Sequence, residues 1–366
     1  MDASIPPSIA ELDFDPPMTT TVACEAALFA VAQADTDAEG HSAALSRFMM
    51  RTESMASSRI ERITATATDF AKAIAGNRSN ASATSMVAAS TALHDLVSRV
   101  GDRGEFSMDD LLDAHRALRQ DDPGEANYAG RFRDMQNWIG GSDHSPRDAL
   151  HVPPAPERVP GLMKDLLAYL NRDGIPVMVQ AAIGHAQFES IHPFTDGNGR
   201  IGRALVSAVL RRRGITRNAV VPLASGLLAE REDYFAALGD YRRGDPTPLI
   251  DLFARSVRAA AVCSRESIAR IKALPEEWAT ELRPRAGSAV AALVPAFYDH
   301  PVMAATEIEQ RSGSSEPQTY RAIARLVDAG FIQEITGRKR DRVWAAAELL
   351  AELGDLDRRI QAEMNA

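Results

Sequence analysis

A short stretch in the middle of the chain, residues 191–203, carries the side chains best suited to chemistry. It reads Ile-His-Pro-Phe-Thr-Asp-Gly-Asn-Gly-Arg-Ile-Gly-Arg, and helix-like apolar runs lie on both sides of it. Where a loop enters a helix, unpaired backbone N–H groups and the helix dipole create a site for phosphate. His192 could accept a proton there, and Asp196 could hold a divalent cation. The pattern therefore predicts chemistry at a nucleotide phosphate.

The same loop supplies groups that would contact that phosphate. The glycines at 197 and 199 allow the backbone to approach a ligand closely. The amides of residues 197–199 and the side chain of Asn198 could stabilise charge that develops on the phosphate. Arg200 and Arg203 are three residues apart, so they share a helix face and can bind further phosphate oxygens.

The stretch resembles the signature of the Fic family, His-Pro-Phe-x-Asp/Glu-Gly-Asn-Gly-Arg-x-x-Arg, at every fixed position. The resemblance implies a nucleotidyltransferase that moves AMP from ATP to a Ser, Thr or Tyr hydroxyl of a protein. His192 and Asn198 would be catalytic, and Asp196 would hold Mg²⁺. The ATP-binding residues implied are Gly197, Asn198, Gly199, Arg200, Arg203 and, farther along the chain, Tyr234 as a stacking partner for the purine. A surface loop with a solvated Asp is the alternative interpretation.

An upstream segment resembles the inhibitory motif of regulated Fic proteins, Ser/Thr-x-x-x-Glu-Gly/Asn. Ser57 and Glu61 match this motif, whereas Arg62 stands where a small residue is usual. By the resemblance, Glu61 would form an ion pair with Arg203 and occupy the space of the ATP γ-phosphate, which predicts autoinhibition. A plain amphipathic helix with a solvated Glu61 is the competing interpretation.

Residues 131–141 and 148–152 are expected to form two short extended segments joined by a polar loop. In the Fic family a β-hairpin at this place, the flap, holds the target segment by main-chain pairing. Leu150 and His151 would then lie beside the docked strand. Considered without the resemblance, the segment could equally be a connector.

The expected fold class is mostly α: a Fic-type helical bundle with a β-hairpin flap and a C-terminal winged helix-turn-helix domain. We predict an N-terminal helical region at 1–105 with an inhibitory helix around 51–74, a catalytic core at 106–274 and a winged-helix domain at 287–366. Pro275 and Pro284 predict a linker between the last two. The basic residues of the last domain that could meet a DNA backbone are Arg321, Arg325, Arg338, Lys339, Arg340 and Arg342. Contact with a protein, or formation of a homodimer, is an equal alternative.

The composition limits the classes of protein to which this chain can belong. Of the 366 residues, 45% are hydrophobic and 25% charged, which is typical of a globular chain. The net charge of −9 argues against a chain built wholly for nucleic acid. Cys24 and Cys263 match no metal-site spacing and are predicted to be reduced core residues. No apolar run suits a membrane span, so we expect a cytoplasmic protein whose partners are ATP, a target protein and itself.

Three functions fit these residues. The first is an AMP transferase restrained by Glu61. The second is a de-AMPylase in which Glu61 orients a water molecule at the same site, and sequence does not separate it from the first because the residues are shared. The third is a DNA-binding regulator whose Fic unit senses nucleotide.

Overall fold

The computed structural model describes residues 3–141, 145–338 and 340–366, so Lys339 of the predicted basic set lies outside the described residues. The prediction of a mostly helical chain is confirmed. The α-helices are α1 Met18–Asp37, α2 Ser42–Ile60, α3 Ala67–Ile74, α4 Ala81–Arg103, α5 Met108–Arg119, α6 Val159–Leu170, α7 Val177–Ile191, α8 Asn198–Arg212, α9 Leu223–Ala229, α10 Arg231–Arg242, α11 Thr247–Leu282, α12 Ala289–Asp299, α13 Ala305–Ser312, α14 Glu316–Asp328 and α15 Ala347–Met364. The strands are β1 Val302–Ala304, β2 Ile332–Glu334 and β3 Val343–Ala346.

Two helices, α7 and α8, form the centre of the molecule. The sequence of α7 is apolar on all sides, and residues 178–191 are buried. A helix without a polar face can be stable in water only when neighbours surround it. Here α6, α8, α10 and α11 pack around α7, while α4 covers the other side of α8. This packing fixes the loop between α7 and α8. Within the described residues, no helix is long and apolar enough to cross a membrane.

The predicted inhibitory helix around 51–74 is two helices, so that prediction is corrected. The helix α2 ends at Ile60, and Arg62 then adopts a left-handed backbone conformation with φ of 60°. A non-glycine residue in this conformation costs about 1–2 kcal/mol, and it ends a right-handed helix. Thr66 restarts the chain as the N-cap of α3, where its hydroxyl accepts a hydrogen bond from the backbone N–H of Asp69.

The predicted linker at Pro275 is also corrected, because α11 runs through this proline to Leu282. A proline inside a helix costs about 3 kcal/mol. Beyond it, Trp278 and Leu282 are only 1% and 4% exposed. Their burial contributes about 6 kcal/mol, which exceeds the cost of the proline. The helix instead stops at Arg283, whose φ is 43°.

A flap hairpin was predicted here. The described residues on either side of 142–144 instead form one β-bridge, between Ile139 and His151. The N–H of Ile139 donates to the carbonyl of His151 over 2.8 Å, and the N–H of Leu150 donates to the carbonyl of Ile139 over 2.7 Å. Gly140 and Gly141 follow with positive φ and turn the chain away. The two segments are therefore adjacent without forming a regular ladder.

The C-terminal module contains the predicted helix pair, α13 and α14, and a sheet of order β1-β3-β2 with antiparallel pairing. It packs against α2. Arg59 of α2 forms an ion pair of 2.6 Å with the buried Asp357 of α15. At the other end of α2, Nδ1 of His41 lies 2.7 Å from the hydroxyl of Tyr298. The module is thus attached to the helix that ends at Glu61.

We predict that Trp278→Ala lowers the free energy of unfolding by about 3–5 kcal/mol. The indole is buried, stacks on Phe331 at 5.2 Å and donates to Glu348 over 3.0 Å, so the substitution removes a link between α11 and the C-terminal module. Urea unfolding followed by circular dichroism measures the loss. The exposed Glu281→Ala on the same helix should stay within about 0.5 kcal/mol of wild type. A loss below about 1 kcal/mol for Trp278→Ala would contradict this account.

Candidate active site

The loop between α7 and α8 has a left-handed residue at each end. His192 ends α7 with φ of 48° and ψ of 63°, and Gly197 precedes α8 with φ of 81°. Glycine accepts this conformation without strain, whereas histidine does not. The surrounding structure therefore holds His192 in place, as is common at sites that bind ligands.

Asn198 fixes the interior of this loop. Its Oδ1 accepts from the backbone N–H of Phe194, and its Nδ2 donates to the carbonyl of the same residue, each over 2.9 Å. The Phe194 ring is fully buried and stacks on His115 with ring centres 3.9 Å apart. The amide of Asn198 therefore maintains the loop conformation, and one of its N–H bonds remains for a ligand.

The side chain of His115, on α5, forms hydrogen bonds that support the loop. Its Nδ1 accepts from the N–H of Gly130 over 3.1 Å, so Nε2 carries the proton and donates to the carbonyl of Asp196 over 3.1 Å. Burial lowers the pKa of His115 to about 4. The neutral imidazole is therefore a fixed support of the loop.

Arg133 supports the loop from the flap side, and sequence reasoning missed it. This buried guanidinium donates from Nε to the carbonyl of His192 over 2.9 Å and also bonds the carbonyls of Met135, Pro154 and Ile191. Carbonyls at a helix C-terminus lack intrahelical partners and attract a cation. One arginine thus joins the end of α7 to the flap.

Asp196 lies at the open side of the loop, with half of its side chain exposed. Its Oδ2 is 2.9 Å from Nη1 of Arg119 and 3.4 Å from Nη2 of Arg200. Burial opposes ionisation, but Arg200 and Arg119 outweigh it and lower the pKa of Asp196. The group is therefore a carboxylate at neutral pH.

The second cluster joins α8 to the end of α2. Arg203 is 1% exposed, and its Nη2 lies 2.8 Å from Oε1 of Glu61. Its Nε and Nη2 also donate to the hydroxyl and carbonyl of Ser57, each over 2.8 Å. A Cβ atom at Gly199 would lie 2.0 Å from the same Glu61 oxygen. The Glu61 carboxylate therefore lies directly over the backbone at the start of α8, where that backbone favours an anion.

The side chain of His192 is mostly buried and uncharged. Burial, followed by the charges of His151, Arg133 and Arg242, lowers its pKa to about 3. The imidazole can therefore accept a proton at neutral pH. Its Nδ1 is buried and finds no hydrogen-bond partner within the described part of the chain.

Comparison with known proteins agrees with this geometry. Residues 105–210 match the family model described as Fic/DOC family. The matched segment contains the loop between α7 and α8, and this part of the chain is similar to the Fic/DOC family. Protein adenylyltransferase fic-1 of Caenorhabditis elegans is 33% identical over 160 residues, 43% of this chain and 28% of that protein. Protein adenylyltransferase Fic of Nematostella vectensis is 35% identical over 155 residues, 41% of this chain and 32% of its own length. The matches thus span about three-tenths of these curated relatives.

Solved Fic structures share the fold over a longer part of the chain. A Fic family protein from Desulfovibrio desulfuricans has a TM-score of 0.56 at 23% identity and covers 91% of this chain and 98% of its own. A fragment of C. elegans Fic-1 has a TM-score of 0.53 at 24% identity, covering 69% of this chain and 74% of its own. These likenesses concern the fold alone.

The structure brings together most of the residues predicted for the site, but it buries the ring of Tyr234 beside Arg203. Tyr234 is 1% exposed, and its hydroxyl lies 2.8 Å from Nε2 of the buried His185. A ring enclosed on both faces cannot stack on a purine, so this prediction is corrected. The physical reason is that the ring fills the core between α10 and α7, as aromatic residues at helical spacing commonly do.

The two flap residues face opposite ways. Leu150 is 79% exposed, so its side chain remains on the outer surface of the Fic flap. His151 is 4% exposed and lies with Nε2 2.9 Å from the carbonyl of Ser190 at the end of α7. Burial lowers the pKa of His151 to about 4. The neutral ring therefore joins the flap to the catalytic loop.

We predict that Arg133→Lys lowers the free energy of unfolding of this protein by about 2 kcal/mol or more. A lysine has one ammonium group, so it cannot bond the carbonyls at the end of α7 and those of the flap at the same time. Some of these buried acceptors would therefore be left unpaired. Chemical denaturation gives the loss, and limited proteolysis at the flap reports local opening. Arg131→Lys, an exposed change of the same type two residues away, is the control and should be neutral. Equal stabilities of the two variants would disprove the role of Arg133.

Proposed function

We propose that this protein transfers AMP from ATP to a Ser, Thr or Tyr hydroxyl of a target protein and that Glu61 restrains the reaction. The observation that carries the proposal is the ion pair of 2.8 Å between Glu61 and Arg203 at the anion-binding start of α8. The curated relatives named protein adenylyltransferase support the same chemistry. A neutral His192 beside that site supports the role of base.

In the proposed reaction, each polar group of the loop has one role. His192 takes the proton of the target hydroxyl, and the oxygen then bonds to the α-phosphorus as the bond to pyrophosphate breaks. The backbone N–H groups of Asn198 and Gly199, at the N-terminus of α8, stabilise the charge that develops on the α-phosphate, together with that of Gly197 once it leaves Oδ1 of Asp196. Arg203 binds the outer phosphates once Glu61 leaves it, and Arg200 adds positive charge nearby. The exposed Leu150 marks where the target segment would lie along the flap.

The residues fit a magnesium ion that arrives with the nucleotide. Among the described residues no group of three acidic, histidine or cysteine side chains could hold a metal alone. Mg²⁺ commonly binds one or two carboxylates together with substrate phosphates and water. Asp196 is a half-exposed carboxylate beside the anion site, so it supplies that single ligand. When bound, the ion would neutralise phosphate charge.

Inhibition follows from competition for one buried cation. Arg203 has little access to water, and although burial opposes its charge, Glu61 is the leading contribution that raises its pKa. The γ-phosphate must replace this carboxylate or be repelled by it. About one-third of the Glu61 side chain is exposed, so the carboxylate can rotate into solvent while α2 stays folded.

The C-terminal module fits protein contact better than DNA contact. Of the basic residues predicted to face DNA, Arg325 donates to the carbonyl of Leu282. Arg342 lies over the rings of Tyr320 and Trp344 at 5.7 and 5.3 Å. Both guanidinium groups are therefore engaged within the module. We infer that this winged-helix-like module serves mainly to hold α2, which it contacts through Asp357.

Labelling with ATP that carries ³²P at the α-phosphate tests the proposed function. We predict that Glu61→Gly raises incorporation into protein roughly thirtyfold, because a competing charge-assisted bond worth about 2 kcal/mol is removed. Adding His192→Ala to that variant should lower incorporation at least about a hundredfold, because the general base is lost. Glu39→Gly, at an exposed carboxylate between α1 and α2, should behave as wild type.

The same assay separates the alternatives. Incorporation that does not respond to Glu61→Gly would refute the inhibitory role, and incorporation that survives His192→Ala would refute the proposed base. If the wild-type protein instead releases labelled AMP from a modified target and Glu61→Gly abolishes release, Glu61 acts in de-AMPylation.

We predict that Asp196→Asn raises the Mg²⁺ concentration for half-maximal labelling roughly tenfold or more, equal to about 1.4 kcal/mol of lost cation binding. The measurement is a Mg²⁺ titration of labelling in the Glu61→Gly variant. Asp122→Asn is the control, since Asp122 pairs at 3.2 Å with the same Arg119 but lies off the loop. An unchanged midpoint for Asp196→Asn would remove Asp196 from the proposed metal site.

A further inference from the structure

A buried carboxyl group, Glu189, faces the histidine of the site and has no part in the mechanism above. Glu189 is 6% exposed on α7, one helical turn before His192. Its Oε2 lies 4.0 Å from Nδ1 of His192. Its other oxygen, Oε1, and the Nδ1 atom are both buried and unpaired among the described residues. Buried polar atoms without partners are costly, so two of them in one place call for an explanation.

The neighbouring helix leaves room for this carboxyl group. A Cβ atom at Gly202 of α8 would lie 2.5 Å from Oε1 of Glu189. Any other residue at this position would therefore displace the carboxyl group or the helix. The charged groups that act on Glu189 from adjacent elements are Arg203 of α8, Arg242 of α10 and Glu61 after α2. Burial raises the pKa of Glu189 to about 7, and the two arginines oppose that rise.

The separation of 4.0 Å is too long for a hydrogen bond and short enough to close by side-chain rotation. An N–H···O bond needs about 2.7–3.2 Å, so the two groups must approach by about 1 Å. Bonds between catalytic groups are often long before the substrate binds. Glu189 lies in the last turn of α7 and His192 directly follows the helix, so rotation of the two side chains is sufficient to close this distance.

We propose that Glu189 is a positioning residue that accepts a hydrogen bond from the Nδ1–H of His192 and leaves Nε2 to take the proton of the target hydroxyl. The inference rests on the proposed function and adds a residue to it. When Nε2 binds that proton, the imidazole becomes a cation with both nitrogens protonated. At a pH above its raised pKa, Glu189 is a carboxylate that stabilises this cation, while the hydroxyl oxygen bonds to phosphorus and pyrophosphate leaves.

NMR tests the proposal by showing which imidazole nitrogen of His192 carries the proton. Full-length protein with ¹⁵N-labelled histidine contains eight imidazoles, and His192→Ala identifies the signal of interest. We expect neutral His192 at pH 8 to carry its proton on Nδ1. Glu189→Leu should move the proton to Nε2, because an N–H on the buried side would lack an acceptor. Glu189→Gln should retain Nδ1–H, because its amide oxygen can still accept.

Kinetics in the Glu61→Gly variant give a second readout. We expect Glu189→Leu to lower kcat roughly a hundredfold and Glu189→Gln roughly tenfold, with KM for ATP changed less than about twofold. Glu53→Gln is the matched control. Glu53 is also a buried carboxyl group, but it accepts from the N–H of Ala224 over 2.8 Å and should affect neither tautomer nor kcat.

The two readouts separate failure of the inference from failure of the proposed function. A proton on Nε2 of His192 in the wild-type protein overturns the role of Glu189, even if the variants do not fold. An unchanged tautomer in a folded Glu189→Leu variant overturns it as well. If no variant labels protein but the tautomer follows Glu189 as expected, the hydrogen bond stands and the proposed AMP transfer fails.

Discussion

The site depends on the need of one buried cation, Arg203, for an anion. A guanidinium that is almost wholly removed from water is stable only when opposite charge and hydrogen-bond acceptors surround it. In this structure Ser57 supplies two acceptors and Glu61 supplies the charge. The same requirement makes Arg203 a strong binding group for phosphate once Glu61 withdraws. In the proposed function, this single electrostatic constraint accounts for both the closed state and the binding of a nucleotide.

The carboxylate of the loop, Asp196, does not pair with the proposed base, His192. Asp196 is held by Arg119 and Arg200 on the open side, away from the buried face of His192. Three other histidines, at 115, 151 and 185, stay neutral because burial lowers the pKa of each below the physiological range. They support the loop and flap without competing for protons. Among the four, only His192 is partly exposed, with 16% of its side chain accessible.

Sequence patterns identified elements whose determinants are local and missed groups whose partners are distant along the chain. The signature loop follows from a short-range pattern, and the structure contains it between α7 and α8. Arg133 and Arg119 were missed because their roles depend on partners about 60–80 residues away, which no spacing rule reveals. Tyr234 was misassigned because periodicity does not say which neighbour covers a ring. The continuation of α11 through Pro275 likewise depends on the burial of Trp278 by the C-terminal module.

The position of α2 determines how the closed state can open. Three links hold the end of this helix: Arg59 pairs with Asp357, Arg231 donates to the carbonyl of Ile60 over 2.9 Å, and Arg203 binds Ser57. Withdrawal of the helix would break all three and expose the apolar residues packed beneath it, such as Ile60. Rotation of the Glu61 side chain breaks one ion pair and brings the carboxylate into water, and a phosphate that binds Arg203 in its place restores the opposite charge that the buried guanidinium needs. Glu61 lies between the end of α2 and the left-handed Arg62, and about one-third of its side chain is exposed. The lower-energy route to nucleotide binding therefore moves one carboxylate and leaves the helix, and the module that holds it, in place.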